Sequence, residues 1–166
     1  MASNASRKRF GSEATFSDSR ILPYRPDQLF DLVADVERYP EFLPMWEQAT
    51  IFDRRSNGYS TDQVVRLGLL RTRFRSETVL RRPQRIEITS SEGIFRHFAI
   101  QWQFAPGPDG RGCQVACHLA CEARSPLLQT VLGFVLVEAG RSIIRAFDER
   151  ARVLYGEQRD VLASTD

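Results

Sequence analysis

Lysine is almost missing from this chain: Lys8 is the only one, so nearly all the positive charge is guanidinium. An arginine excess spread over a whole chain reads first as a composition bias and only second as a phosphate-binding device. Cysteine is scarce too. Cys113, Cys117 and Cys121 form an odd set at a spacing of four, which argues against a disulfide framework and for a reducing compartment. No apolar run approaches the roughly 20 residues that cross a bilayer; the densest, Pro126 to Val137, is about half as long. The chain is therefore expected to touch a membrane but not to cross one. A phosphate-cradling glycine loop, a dinucleotide fingerprint and zinc-ligand spacing are all absent from the sequence, which weakens any reading as a nucleotide or zinc enzyme.

What is present fits one ordinary domain. The 166 residues are 42% hydrophobic and 27% charged, with 23 basic against 21 acidic side chains. A globular chain of this size buries about 70% of its unfolded surface around a single core. A net charge of +2 does not demand nucleic acid. Residues 1–12 hold Arg7, Lys8 and Arg9 without an acid or an apolar segment behind them, so they read as a mobile tail and not as a secretory signal. Residues 13–156 read as the domain and residues 157–166 as a C-terminal tail.

A first strand is expected from about Ala14 to Ile21. Pro26 suits the first turn of a helix, and Phe30, Val33 and Val36 follow at helical spacing. That helix should stop before Pro40, and a short turn from Glu41 to Leu43 should follow, closed by Pro44. Tyr39, Phe42, Leu43 and Trp46 then crowd into one elbow. From Met45 to Ala123 the pattern is a meander: Asn57-Gly58 marks a hairpin, and breaks fall at Arg82-Pro83-Gln84, Ser91-Glu92-Gly93 and Pro106 to Gly110. The stretch Tyr59 to Leu80 is too long for one strand, which places a bend near Gly68 to Arg71. The sum is α+β: one strand, two short helices, about six further antiparallel strands and a final helix.

Ser125 and Pro126 make a good N-cap and first residue, and no proline follows, so the final helix should run to about Gly156 and measure roughly 46 Å. At 100° per residue, Gly133, Leu136, Val137, Gly140, Ile143, Ile144, Phe147, Ala151 and Leu154 share the face that must meet the sheet. Leu127, Leu128, Val131, Phe134 and Val135 point away from it. A helix apolar on both sides is buried, or meets a partner or a membrane. Gly133 and Gly140 each cost about 1 kcal/mol against alanine; they serve either close packing on the sheet or free volume for a ligand beneath the helix. Alternation across Phe95 to Phe104 puts Phe98, Ile100, Trp102 and Phe104 on one strand face, as core or as ligand lining.

The candidate chemistry is thin. On a strand, neighbouring thiols of Cys113, Cys117 and Cys121 stand about 13 Å apart, beyond a shared metal or a disulfide. His97 and His118 fall on polar strand faces without a triad partner at local spacing. Arg71, Arg73 and Arg75 share a strand face in a stretch whose only acid is Glu77. That stripe is a solvated outer face, or it meets anionic lipid headgroups or ribosomal RNA.

The run Pro26-Asp27-Gln28-Leu29-Phe30-Asp31-Leu32-Val33-Ala34-Asp35-Val36-Glu37-Arg38-Tyr39-Pro40-Glu41-Phe42-Leu43-Pro44 closely resembles the signature of the coenzyme Q-binding START-domain family. So do Trp102-Gln103-Phe104 and the ending Ala146 to Ala151 with Leu154-Tyr155-Gly156. The resemblance covers about Ser17 to Gly156. It implies a helix-grip fold, in which a curved antiparallel sheet of about seven strands wraps a long C-terminal helix over an apolar cavity. It further implies ubiquinone or a similar polyprenyl quinone as bound ligand, no cofactor, no metal, and a role as lipid chaperone in respiration or quinone biosynthesis. The family also includes ribosome-association toxins, so association with the large ribosomal subunit is the alternative. Cyclase or hydratase chemistry, as in distant helix-grip relatives, would need an acid or base facing the cavity, and the alternation places both histidines elsewhere; no enzyme is expected. The expected ligand-lining residues are Tyr39, Phe42, Trp46, Phe98, Trp102, Gly133, Val137, Gly140, Ile144 and Phe147. The expected membrane contacts are Leu127, Leu128, Val131, Phe134 and Val135, peripheral at the bacterial inner membrane, or at the matrix side of the mitochondrial one in a eukaryote.

Overall fold

A computed structural model of the chain describes residues 13–156; the two tails expected at 1–12 and 157–166 lie outside the described residues. The order is β1 (Ala14–Leu22), α1 (Pro26–Ala34), a 3₁₀ turn (Val36–Arg38), α2 (Tyr39–Phe42), β2 (Trp46–Arg55), β3 (Gly58–Leu67), β4 (Leu70–Arg81), β5 (Arg85–Ser90), β6 (Phe95–Pro106), β7 (Cys113–Ala123) and α3 (Pro126–Tyr155). One antiparallel sheet runs β1-β7-β6-β5-β4-β3-β2. After β1, α1 and α2 carry the chain to the far edge, and successive hairpins bring it back until β7 lies beside β1. The sheet curls around α3, in the helix-grip arrangement that the sequence resemblance implies.

The helical elements differ from expectation in their limits. The first helix ends at Ala34, and Pro40 stands in the first turn of α2 instead of ending α1. A proline is tolerated there because the N–H it lacks would have no helical partner. Two tyrosines hold the carbonyls that α1 leaves open at its C-terminus: the Tyr39 hydroxyl donates to Val33 O and the Tyr59 hydroxyl to Ala34 O at 2.7 Å. The first hairpin also departs from its reading. Its turn is Ser56-Asn57 with no positive φ at either residue, and Gly58 already belongs to β3. Glycine is needed there for close approach, since a Cβ on Gly58 would fall 2.1 Å from the Thr78 carbonyl oxygen. The bend expected near Gly68 is the β3–β4 turn.

The terminal helix starts as expected, with Ser125 Oγ accepting from the Leu128 N–H at 3.1 Å. Thirty residues at 1.5 Å each give about 45 Å. Its buried line drifts around the axis as the helix crosses the twisted sheet. In the first half that line is Leu132 and Leu136 with Leu128 and Val135 partly buried; in the second it is Gly140, Ile143, Ile144, Phe147 and Ala151. A straight stripe through both halves therefore misplaces Gly133, Val137 and Leu154, which are exposed, and wrongly turns Leu128 and Val135 outward. By length and composition α3 also corrects the expectation about membrane spans: its most apolar 18-residue window has a mean hydropathy of 1.5, enough to cross a bilayer, and only 28% of that window is buried. The run Pro126 to Val137 stops at Glu138, but Ala139, Ile143 and Ile144 beyond it outweigh Glu138 and Arg141 over 18 residues.

The two helix glycines behave oppositely. A Cβ on Gly140 would stand 2.4 Å from the Phe16 ring of β1, whereas one on Gly133 would meet nothing within 4 Å. Gly140 thus serves close helix–sheet packing, whereas Gly133 borders open space in the groove between α3 and the edge of β1 and β7. Gly133→Ala is expected to raise stability by about 1 kcal/mol through helix propensity. Gly140→Ala is expected to lower it, because overpacking costs about 1–3 kcal/mol; urea midpoints of opposite sign relative to wild type check the pair, and Phe16→Ala should relieve the second.

Candidate functional site: the groove beneath the terminal helix

Alternation on β6 places Phe98, Ile100, Trp102 and Phe104 inward, all under a tenth exposed, and the facing side of β7 adds Val115, Cys117, Leu119 and Cys121. Opposite stand Leu132, Leu136, Ile143, Ile144 and Phe147 of α3. At one end the elbow after α1 closes the wall. Phe147 packs edge-on against Tyr39, Phe42 and Trp102, with ring centroids 5.4, 5.3 and 5.3 Å apart, and Trp46 stands edge-on to Tyr39 at 5.8 Å. Of the expected lining residues, Tyr39, Phe42, Trp46, Phe98, Trp102, Gly140, Ile144 and Phe147 gather along this interior. Gly133 and Val137 do not; they line a separate, solvent-open groove of about 750 Å³ between α3 and the edge of β1 and β7, together with Arg96, Glu122 and Arg124.

Beneath the helix, on the inner face of the sheet, the space is divided. The largest of three inner voids, about 50 Å³, lies under the first half of α3 and is bounded by Met45, Trp46, Leu67, Phe98, Leu132, Val135, Ala139 and Ile143, among others. A second, about 20 Å³, adjoins Tyr39, Trp46, Gln63, Thr78, Phe98, Ile143 and Phe147. A third, about 30 Å³, lies toward Leu29, Trp102, Val115, Ile144 and Phe147. The first two share Trp46, Phe98, Ile100 and Ile143, and the last two share Trp102 and Phe147. The roomy hollow expected from the sequence is thus present as three small voids partitioned by side chains. A drug-sized ligand fills at least about 300 Å³, so it fits only when those partitions move.

Sequence reasoning missed the polar side chains on this wall. On β3 and β4 the inward positions include Thr61, Gln63, Ser76 and Thr78, each 4% exposed or less. Gln63 Oε1 accepts the Trp46 indole N–H at 2.6 Å, and Gln63 Nε2 donates to Ser76 Oγ at 2.6 Å. The one available signal was a run of small polar residues at alternate positions opposite exposed charges.

The remaining candidates are surface or inert features. All three cysteines are buried and free; burial raises each thiol, that of Cys121 to about 11 and that of Cys117 to about 12, so they stay protonated at neutral pH. Among the described residues no cluster of His, Cys, Asp or Glu can hold a metal. On the outer face, His118 Nδ1 lies 2.7 Å from Ser17 Oγ, and His97 lies 3.4 Å from Glu13. Arg71, Arg73 and Arg75 are exposed as expected, but acids from neighbouring strands stand among them. Glu47 pairs with Arg66 at 2.6 Å and Arg71 at 2.7 Å; Asp62 pairs with Arg75 at 3.0 Å and Arg73 at 3.4 Å. Hydrogen bonds from Arg71 and Arg66 hold the Glu47 carboxyl below its ordinary range. Leu127, Val131 and Phe134 form an outward ridge on α3, 75%, 38% and 83% exposed, and Leu69 at the β3–β4 tip is fully exposed.

A family model described as polyketide cyclase / dehydrase and lipid transport matches residues 22–148. The chain is 33% identical over 138 residues to the ribosome association toxin RatA of Pseudomonas aeruginosa, covering 83% of this chain and 95% of that protein. It is 25% identical over 152 residues to the mitochondrial coenzyme Q-binding protein COQ10 homolog B of Xenopus laevis, covering 90% of this chain and 62% of that protein. Its fold matches that of the Zhui aromatase/cyclase from Streptomyces sp. R1128 with a TM-score of 0.75 at 16% identity, over 86% of this chain and 96% of that one. The family match begins at the last residue of β1, takes in β2 to β7 and runs through most of α3, the elements that wall the groove, and the chain belongs to the polyketide cyclase / dehydrase and lipid transport family.

Proposed function

We propose that the chain is a non-enzymatic lipid carrier that takes a polyprenyl quinone such as ubiquinone into the groove beneath α3, as a chaperone for respiration or quinone biosynthesis. The observation that carries this reading is the largest of the three inner voids, which exposes only apolar atoms and lies beneath the half of α3 whose outer face is also apolar. The printed name of the Xenopus relative, a coenzyme Q-binding protein, supports it. Energetics allow the partitions to open. Each buried CH₂ is worth about 0.8 kcal/mol, so one five-carbon isoprene unit brings roughly 4 kcal/mol. Displacing a side chain from its rotamer costs about 0.5–1.5 kcal/mol. Two units therefore outweigh the displacement of Trp46, Phe98 and Ile143 together.

The ridge Leu127, Val131 and Phe134 would meet the bilayer peripherally, at the cytoplasmic side of a bacterial inner membrane or the matrix side of a mitochondrial one. Ala139→Trp, which puts an indole into the largest void, is expected to weaken binding of a short-chain ubiquinone at least tenfold while the protein stays folded. Calorimetric titration measures this; unchanged affinity in the folded variant sinks the groove as the site.

A second reading has its own support, the 33% identity to a protein named for ribosome association. On this reading the outer face of β3 and β4, where four guanidinium groups share two carboxylates, would meet ribosomal RNA. Reversal of Arg71, Arg73 and Arg75 to Glu should then abolish co-sedimentation with large ribosomal subunits and leave quinone binding intact. Co-sedimentation of the wild type should also fall steeply with salt; sedimentation insensitive to both changes excludes this surface.

A further inference from the structure

Charge on α3 is arranged differently from charge on the sheet. Toward its end, Arg150 and Arg152 are paired, with Glu41 and Asp148 at 2.8 and 3.0 Å. Arg141 and Arg145 are exposed and form no ion pair among the described residues, although Glu138 lies three residues before the one and Glu149 four after the other. Phase puts these free cations on a particular line. At about 100° per residue, Val131, Phe134, Arg141 and Arg145 all fall within about 40° of Leu127. One face of α3 is therefore apolar over its first half and cationic beyond it. Phe134 and Arg141 stand about 10 Å apart along the axis, with Arg145 about 6 Å further on.

That order of groups fits one kind of partner. Leu127 and Phe134, exposed at 75% and 83%, gain from an apolar medium, and unpaired guanidinium groups beside them gain from anionic acceptors, which they hold bidentately. A bilayer surface that contains acidic phospholipid offers both. An amphipathic face sinks about 5–10 Å to the boundary of headgroups and acyl chains, and arginine reaches from there to the phosphates. An RNA backbone offers phosphate but no place for Phe134. Arg71, Arg73 and Arg75 are poorer ligands for lipid phosphate, because each already holds Glu47 or Asp62.

We infer that Arg141 and Arg145 bind the phosphate groups of acidic phospholipids while Leu127, Val131 and Phe134 enter the acyl boundary, so that α3 selects an anionic membrane. This rests on the outer face of α3 being the membrane contact proposed above, and it names the lipid class which that contact takes. Glu138, exposed on the same line, opposes the attraction and gives the test an arm of opposite sign.

Partition of the full chain is measured by co-flotation with two kinds of vesicle, phosphatidylcholine alone and phosphatidylcholine with phosphatidylglycerol. Wild type is expected to prefer the acidic vesicles. Arg141→Gln with Arg145→Gln should lose about thirtyfold on them, at roughly fivefold for each arginine near an anionic surface, and change little on the neutral ones. Glu138→Gln should gain about fivefold on the acidic vesicles. Arg73→Gln with Arg75→Gln, which leaves Asp62 unpaired instead of freeing a cation, should not reproduce the loss. An unchanged urea midpoint shows that the α3 variants are folded. Equal partition of wild type onto both vesicles, or an undiminished preference in the Arg141 and Arg145 variant, overturns the headgroup selection while the apolar ridge stands as the membrane contact. If wild type floats with neither vesicle, the contact and this inference fall together. A solution dimer that Phe134→Glu divides assigns the face to a second copy and overturns the bilayer as its occupant.

Discussion

Phe147→Ala is expected to lower the free energy of unfolding by about 3–5 kcal/mol, the range for truncating a buried aromatic side chain. Phe147 is 7% exposed and sits where α3 meets the elbow after α1. Its ring contacts three others, Tyr39, Phe42 and Trp102, at centroid distances of 5.3 to 5.4 Å, and edge-to-face pairs of this kind add about 0.5–1.5 kcal/mol each beyond area. It also divides two of the three voids, so its loss joins them and leaves a gap that the rigid sheet cannot close. Urea denaturation with an unchanged slope checks the value. A loss below about 1 kcal/mol would mean that the ring cluster does not hold the helix to the elbow.

The second large effect concerns the outward ridge. Leu127→Glu with Phe134→Glu is expected to reduce partition onto vesicles of phosphatidylcholine and phosphatidylglycerol about a hundredfold, since full burial of each of these apolar side chains is worth about 1.5–3 kcal/mol. Both residues are largely exposed, at 75% and 83%, so folding stability should change little. Leu132→Glu, one turn away but buried at 1%, is the contrasting control and should unfold the protein. Co-flotation with vesicles reads the first variant. Undiminished flotation would show that the ridge is not the membrane contact.

Much of the fold was legible in the sequence because alternation and turn chemistry are local. Phe98 to Phe104 read as one inward face from the period of two alone, and Ser125-Pro126 marked the start of α3. What was not legible depends on distant partners. Glu47 and Asp62 offset half of the charge of Arg66, Arg71, Arg73 and Arg75 from β2 and β3, and only strand register brings them beside Arg71 and Arg75. The glycines of α3 look alike until Phe16 is placed against one of them. The phase of a 30-residue helix on a twisted sheet cannot follow a single straight stripe, which is why Val137 and Leu128 changed sides. The polar patch was hidden for a different reason. In β3 and β4 the inward positions carry Thr61, Gln63, Ser76 and Thr78 while Val64 and Val79 occupy the opposite phase, so hydrophobicity does not tell the two faces apart.

That apolar ligands enter between α3 and the sheet is tested most directly by what the protein carries out of a cell. Protein purified without detergent from a host that makes ubiquinone is extracted with organic solvent, and the extract is analysed by mass spectrometry alongside that of Ala139→Trp. The account predicts a polyprenyl quinone in substantial molar ratio with wild type and little with the variant. A correctly folded wild type that brings no quinone, or the same quantity as its blocked counterpart, contradicts it.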